Sequence, residues 1–426
     1  MAEIRPFCGL RFSAEAGPIQ DLVAPPYDVI NQTERDNLIQ RNAHNVVHLT
    51  LPEQKDDDRS KFVKYARSAA ALSEWRRDGI LALESKPAFY RYTQTFAIPY
   101  LSKEPLTRTS IIALIKVEPY DKGVVLPHEQ TFPKHKEDRL RILEATRAHL
   151  ECIFGLFEDP DGAVHKSLVA APAGNAVEVK SDDHVNQRLE PITDPEVCGQ
   201  LQELLARKKV WIADGHHRYE TAVAFRAALG ERPGPVPEDY MMMALASMSD
   251  PGLVLLPTHR VLKSLPCSTD VLLESLEPFF DMEEMHSSHL FERLRKVEAA
   301  GGRAFGLSLR GGVGYLLVPK DFDRLLEIES GEGSKLLRGL DVSILHSLIL
   351  EKICGVQGLD SIIYTRDHHE AITLVQEGAA AAFLMNPPTV DDMRTIALGG
   401  EKMPQKSTYY FPKILSGLVL WSLNDF

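Results

Sequence analysis

Cysteine is scarce in this 426-residue chain. Its five cysteines, Cys8, Cys152, Cys198, Cys267 and Cys354, are scattered and never form a C-x-x-C pair. That excludes a disulfide framework or a cysteine zinc site and fits a reducing, cytoplasmic setting. Long apolar runs are missing too: nothing approaches the ~18 apolar residues that suggest a membrane span. The opening Met1-Ala2-Glu3-Ile4-Arg5-Pro6 lacks a basic stretch followed by an apolar one, so a cytoplasmic, unprocessed protein is expected. Positive charge is outweighed, with 48 Lys and Arg against 60 Asp and Glu and a net charge of −12. Such a balance works against adhesion to nucleic acid or anionic membranes, and neither is expected as a partner. The sequence holds no G-x-x-x-x-G-K-[ST] loop, no G-x-G-x-x-G after a strand and no G-x-S-x-G elbow, so the common phosphate loops and the hydrolase nucleophile turn are excluded.

Hydrophobic residues at 44% and charged residues at 25% are ordinary globular usage, and the length allows two or three domains. Helical patterns are read over Thr33 to Arg41, Asp58 to Arg77, Glu137 to His149, Asp194 to Arg207, His289 to Ala300 and Ala371 to Glu377. β-Branched and aromatic runs predict strands at Ala88 to Ile98, Thr109 to Val117, Cys152 to Phe157, Lys209 to Ala213, Tyr240 to Met248 and Ala380 to Met385. Arg303 to Leu309 and Gly314 to Val318 read as a strand pair. The interleaving predicts an α+β protein with mixed sheets and packed helices, in three modules: 1–122, 123–265 and 266–426.

The sharpest local signal is Val210-Trp211-Ile212-Ala213-Asp214-Gly215-His216-His217-Arg218. A hydrophobic strand ends in Asp-Gly, a turn that tolerates positive φ, and a helix starts with two histidines and an arginine. Cations at a helix N-terminus oppose the macrodipole unless an anion binds there. The turn reads either as a phosphate cradle or as a plain helix start capped by Asp214. In Leu126 to Pro133, His128 and Glu129 sit in a loop bounded by prolines. A zinc protease would need a second histidine four residues after the first, where Phe132 stands. Glu129 is either a general base for a hydroxyl or a solvated loop residue. Pro257-Thr258-His259-Arg260 repeats the imidazole and guanidinium theme. The stretch from Met403 to Lys413, with Lys406, Ser407 and Thr408, suits phosphate oxygens or a final edge strand. Arg366-Asp367-His368-His369-Glu370 reads as a solvated helix start.

Pro25-Pro26-Tyr27-Asp28-Val29-Ile30, His128-Glu129-Gln130-Thr131, Ala213 to Ala222, Pro257-Thr258-His259-Arg260 and Met403 to Tyr409 together resemble the bacterial and archaeal family known as domain of unknown function number 1015. More distantly, the chain resembles the archaeal free serine kinases of the ParB/sulfiredoxin-like superfamily. Pro127-His128-Glu129 matches their base loop, Asp214 to Arg218 their phosphate and substrate turn, and Lys406-Ser407-Thr408 their nucleotide-closing strand, in the same order. Glu129 and Asp214 stand farther apart than in those kinases, and Tyr409-Tyr410 replace an Arg-His pair.

This second resemblance implies a ParB/sulfiredoxin-like central module flanked by two α/β modules. It also implies a kinase that phosphorylates the hydroxyl of free L-serine. Glu129, Asp214 and His216 would be catalytic. His128, Gly215, His217, Arg218, Thr221, His259 and Arg260 would bind phosphate and substrate, and Lys406, Ser407 and Thr408 the donor. Magnesium and ATP, ADP or pyrophosphate are the expected co-reactants, with no metal held by the protein alone. The alternative is a ParB-like nucleotide-binding regulator without catalysis. A homodimer is left open.

Overall fold

The computed structural model describes residues 2–98, 102–131, 133–328, 331–356 and 361–426. Phe132, in the expected Leu126 to Pro133 loop, lies outside them. The chain divides into two compact units, one of Met1–Pro127, Thr131–Val254 and Tyr410–Phe426, the other of His128–Gln130 and Leu255–Tyr409.

The first unit is built on a nine-stranded mixed sheet. Its strand order is Val125–Leu126, Val210–Asp214, Ile153–Phe157, Tyr240–Ser247, Leu106–Lys116, Phe89–Phe96, Asn186–Ile192 and Val177–Lys180, with Ile4–Arg5 also pairing Leu106–Lys116. Tyr240–Ser247 is buried along its whole length, and Leu106–Lys116 from Arg108 to Ile115. Such strands, covered on both faces, read as continuous apolar runs rather than alternating ones, which is why Met241 to Ala246 and Ile111 to Ile115 carry no period. Tyr219 and Ala222, from the helix His216–Ala228, pack into the core with Ile153, Val210, Ile212 and Met243. This places that helix's first turn at the end of the strand Val210–Asp214. A second core gathers Leu38, Val46, Val47, Leu72 and Trp75 from the N-terminal helices with Ile142 and Leu420.

The second unit carries a six-stranded antiparallel sheet in the order Phe280–His286, Val313–Pro319, Phe305–Ser308, Ala381–Leu384, His259–Leu262, Ile362–Thr365. Leu290 and Leu294 from Leu290–Ala299, and Ala371 and Val375 from His368–Gln376, cover one face. Ile344–Ile353 is a π-helix, a wide-turn form rare beyond a single turn.

The expected α+β architecture is present. Most expected elements lie within a few residues of their sequence positions. The helix expected over Glu137 to His149 runs Pro133–Thr146 instead. Proline suits a helix's first position, and Arg147 at φ 51° ends it, so that Ala148–His149 pairs with Trp421–Ser422. The strands Asn186–Ile192 and Phe280–His286 were not expected from the chain's pattern, because Gln, Arg, Asp and Glu interrupt their apolar residues. Among the described residues no helix is long and apolar enough to cross a membrane.

Candidate functional site

In the first unit, Val210 to Ala213 are buried and anchor the turn that follows. The pairing with Ile153–Phe157 slips between Ile212 and Asp214, the kind of bulge that re-aims a side chain at a strand's end. Gly215 then takes φ 93°, and a Cβ there would sit 3.0 Å from Arg218 Nη2. Glycine is therefore required both for the backbone and for the guanidinium beside it. Gly215→Ala is expected to cost about 1–2 kcal/mol in urea unfolding; an unchanged midpoint would contradict the strain.

The structure settles the capping alternative. Gly215 is the residue ahead of the helix and no side chain caps it. Asp214 instead accepts a hydrogen bond from Lys413 Nζ at 2.8 Å, with side chains only 19% and 15% exposed. Burial would raise the Asp214 pKa, but the charges of Lys413 and Arg218 and the Lys413 hydrogen bond outweigh it and hold the carboxyl well below its usual range. Removing one partner of a largely buried pair strands the other charge. Lys413→Met is therefore expected to lower stability by about 2–3 kcal/mol at pH 7, measured by urea unfolding, and a loss below a few tenths would refute the pairing.

His216 is buried and His217 half-buried. Thr221 is buried, its hydroxyl donating to Lys136 O at 3.3 Å. Arg218 Nη1 donates to Cys152 O at 2.7 Å. Burial would lower the Arg218 pKa, yet Glu151, Asp28 and Asp214 hold it raised. Around it lies a cluster that sequence reasoning left without a role. The Arg139 guanidinium stacks 3.8 Å over the Tyr27 ring, and Arg218 lies 5.8 Å from the same ring. Glu151 Oε1 accepts from Tyr27 N at 2.9 Å and from Ser416 Oγ at 3.1 Å. Burial, then the Asp28 charge, push the Tyr27 phenol upward. The signal available was Pro25-Pro26-Tyr27-Asp28, a rigid turn carrying an aromatic and an acid.

In the second unit, Glu129 pairs with Met403 as an isolated parallel bridge, and Met403 N donates to His128 O at 2.7 Å. Glu129 Oε1 accepts from Lys406 N at 3.4 Å. His128 is fully buried, with Nε2 2.9 Å from Thr408 Oγ1. Lys406 holds φ 57°, a left-handed position uncommon for a side-chain-bearing residue, and Ser407 Oγ donates to Pro404 O. His128, Glu129, Lys406, Ser407 and Thr408 are thus brought together within this unit.

His259 and Arg260 are buried on a strand flanked on both sides. His259 Nδ1 accepts from Met385 N at 3.3 Å. Arg260 donates to His346 Nε2 at 3.1 Å and to Lys406 O at 3.1 Å. Burial lowers the Arg260 pKa to about 10. The expected solvated start at Arg366 to Glu370 differs: His368 is buried and stacks 4.0 Å on Phe291, because the helix it opens packs its first turn against the sheet.

No group of three or more His, Cys, Asp or Glu placed to hold a metal occurs among the described residues. With Lys413 on its carboxylate, Asp214 does not fit a resident magnesium ligand.

Among solved structures, a mutant free serine kinase in complex with ADP is similar at 13% identity and TM-score 0.38, over 78% of this chain and 99% of that one. A conserved hypothetical protein from Pyrococcus furiosus is similar at 15% identity and TM-score 0.35, over 74% and 97%. SbnI with C-terminal truncation from Staphylococcus aureus is similar at 11% identity and TM-score 0.35, over 72% and 86%. No curated protein matches the chain. The family model described as Protein of unknown function (DUF1015) matches residues 4–343. With most of its length matched, and with the Pro-Pro-Tyr-Asp and Asp-Gly-His-His-Arg turns folded as described, the chain belongs to the DUF1015 family.

Proposed function

We propose that this chain is a small-molecule kinase that transfers a phosphoryl group to the hydroxyl of free L-serine, giving O-phosphoserine. The observation that carries the reading is the contact of Glu129 with Lys406 N across 277 positions of sequence. It joins the candidate base to the candidate donor segment in one unit. A base held beside a segment suited to phosphate oxygens is the arrangement that a reaction on a phosphorylated donor needs.

In this reading the serine hydroxyl oxygen attacks the terminal phosphorus of ATP, ADP or pyrophosphate. The new oxygen–phosphorus bond forms as the bond to the leaving phosphate oxygen breaks, and the hydroxyl proton passes to Glu129. Lys406, Ser407 and Thr408 hold the donor. His216, His217, Arg218 and the amides after Gly215 offer positive charge and donors suited to phosphate oxygens, and electrostatic positioning is most of what phosphoryl transfer requires. Magnesium would accompany the donor on its phosphate oxygens, and no step is assigned to it. Asp214 keeps Lys413 in place.

The test is incubation with L-serine, magnesium and each of the three donors in turn, followed by detection of O-phosphoserine. Product from at least one donor is expected. No product from any of them, in protein that still binds nucleotide, would replace the kinase by a nucleotide-binding regulator.

A further inference from the structure

In the second unit, Arg260 is 1% exposed, yet none of its hydrogen-bond acceptors is an anion. Its guanidinium donates to Thr258 O, to Met385 Sδ at 3.0 Å, to Lys406 O at 3.1 Å and to His346 Nε2 at 3.1 Å. Burial lowers its pKa to about 10, and the neighbouring Arg366 charge pushes the same way, so it is still a cation at pH 7. Buried charges are costly and are normally paired. This one calls for a counter-charge.

Two further cations stand near it in the same unit. Tyr364 pairs with Arg260 across the strands, and its ring lies 5.5 Å from the guanidinium. Arg366 follows two residues on, and alternate residues of a strand share a face. Its guanidinium lies 4.2 Å over the Tyr409 ring, while its buried Nε has no hydrogen-bond acceptor. The Tyr364 hydroxyl is likewise buried without a partner. Lys406, whose carbonyl is held by Arg260, is exposed. Among the described residues neither Arg260, Arg366 nor Lys406 has a carboxylate within ion-pair distance of its side chain. Glu129 reaches only the Lys406 backbone, Asp367 caps the next helix at His369 N, and Glu370 accepts from the Thr365 hydroxyl. Three cations against Glu129 leave two positive charges. That surplus suits a phosphate dianion or a polyphosphate better than a carboxylate, and a guanidinium fork can take two oxygens of one phosphate.

We propose that Arg366 is the side chain by which the second unit grips a phosphate group, with Arg260 as a fixed charge beside it and Lys406 at its exposed edge. Each of the three Arg260 nitrogens is already engaged, so Arg260 acts through its field and Arg366 by contact. The site is separate from the 214–218 turn, which belongs to the first unit. Assigning the phosphate to the phosphoryl donor rests on the kinase reading; the site itself does not.

Magnetic resonance of the full chain, with nitrogen isotope in arginine alone, tests it. The Arg366 Nε–H signal is identified by its absence in Arg366→Lys, which keeps a cation over Tyr409. Because that signal reports one side chain, phosphate bound at the 214–218 turn does not enter the reading. Pyrophosphate and ADP are expected to shift it saturably, about tenfold or more tightly than inorganic phosphate, since each adds charged oxygens to bond. Acetate at matched ionic strength is expected to leave it in place. Lys406→Gln removes an exposed charge and is expected to weaken pyrophosphate about two- to fivefold. A signal unmoved by pyrophosphate and ADP, an equal shift with acetate, or parental pyrophosphate affinity in Lys406→Gln would each overturn the site. Inorganic phosphate binding as tightly as ADP would overturn the assignment to the donor and keep a site for free phosphate. Serine phosphorylation with an unmoved Arg366 signal would sink the site and keep the kinase, and a shifted signal without O-phosphoserine would do the reverse.

Discussion

Glu129→Gln is expected to lower the rate of O-phosphoserine formation about 100- to 10,000-fold, the range that a positioned general base contributes, while donor affinity changes less than twofold. The substitution is nearly isosteric. Glutamine keeps an Oε1 that can accept from Lys406 N, as Glu129 does now at 3.4 Å, so the turn should survive. Steady-state rates beside nucleotide titration and a thermal melt separate the outcomes. Lost turnover with an intact melt and intact donor binding is the signature of a missing base. Turnover within threefold of the parent would remove Glu129 from the mechanism, and lost donor binding would make it a structural anchor of the 403–408 segment.

Acid is expected to unfold the second unit before the first. His259, His346 and His368 belong to the second unit. Burial, followed by neighbouring positive charge, depresses their pKa values to about 3, 3 and 4. In the first unit burial depresses His149, to about 4, and lowers His48 as well. The sign follows from where the proton goes. Below the ordinary histidine pKa of about 6.5 the unfolded chain takes up protons that the folded chain refuses. Stability is therefore intact above pH 6.5 and falls as the pH drops toward the folded values.

Each group contributes up to about 1.4 kcal/mol per pH unit in that window, so three acting together approach about 4 kcal/mol per unit. Against a typical total of about 5–15 kcal/mol, the second unit should be lost near pH 4–5. The hydrogen bonds give the same direction. Protonation at Nδ1 of His259 would set a donor against Met385 N, and protonation at Nε2 of His346 would set one against Arg260 Nε.

The three tryptophans, Trp75, Trp211 and Trp421, all lie in the first unit. Tryptophan fluorescence therefore follows that unit alone, while circular dichroism follows both. On acidification the dichroism transition should precede the fluorescence transition, and His346→Gln, which keeps an acceptor for Arg260, should move it to lower pH. Coincident transitions, or a dichroism signal flat from pH 7 to 4, would refute the account.

The sequence alone determined the local devices. Apolar period and turn chemistry located the strand into Asp214, the glycine at positive φ and the helix opening on His216, because each depends on neighbours a few residues away. The α+β character followed from the same periodicities. Pairings between distant positions had no local trace. Lys413 meets Asp214 across 199 positions and Thr408 meets His128 across 280, and no spacing rule connects them. Burial of charge was equally hidden. Arg260 and His259 read as candidate phosphate and substrate contacts, and nothing in the sequence showed that they lie on a strand flanked on both sides, where burial is set by strands from 362–365 and 381–384. Tyr27, Arg139, Glu151 and Arg218 come from four separate segments. Only the tertiary structure could decide that they meet in one cluster, because such a cluster belongs to the packing of chain segments and not to any one of them.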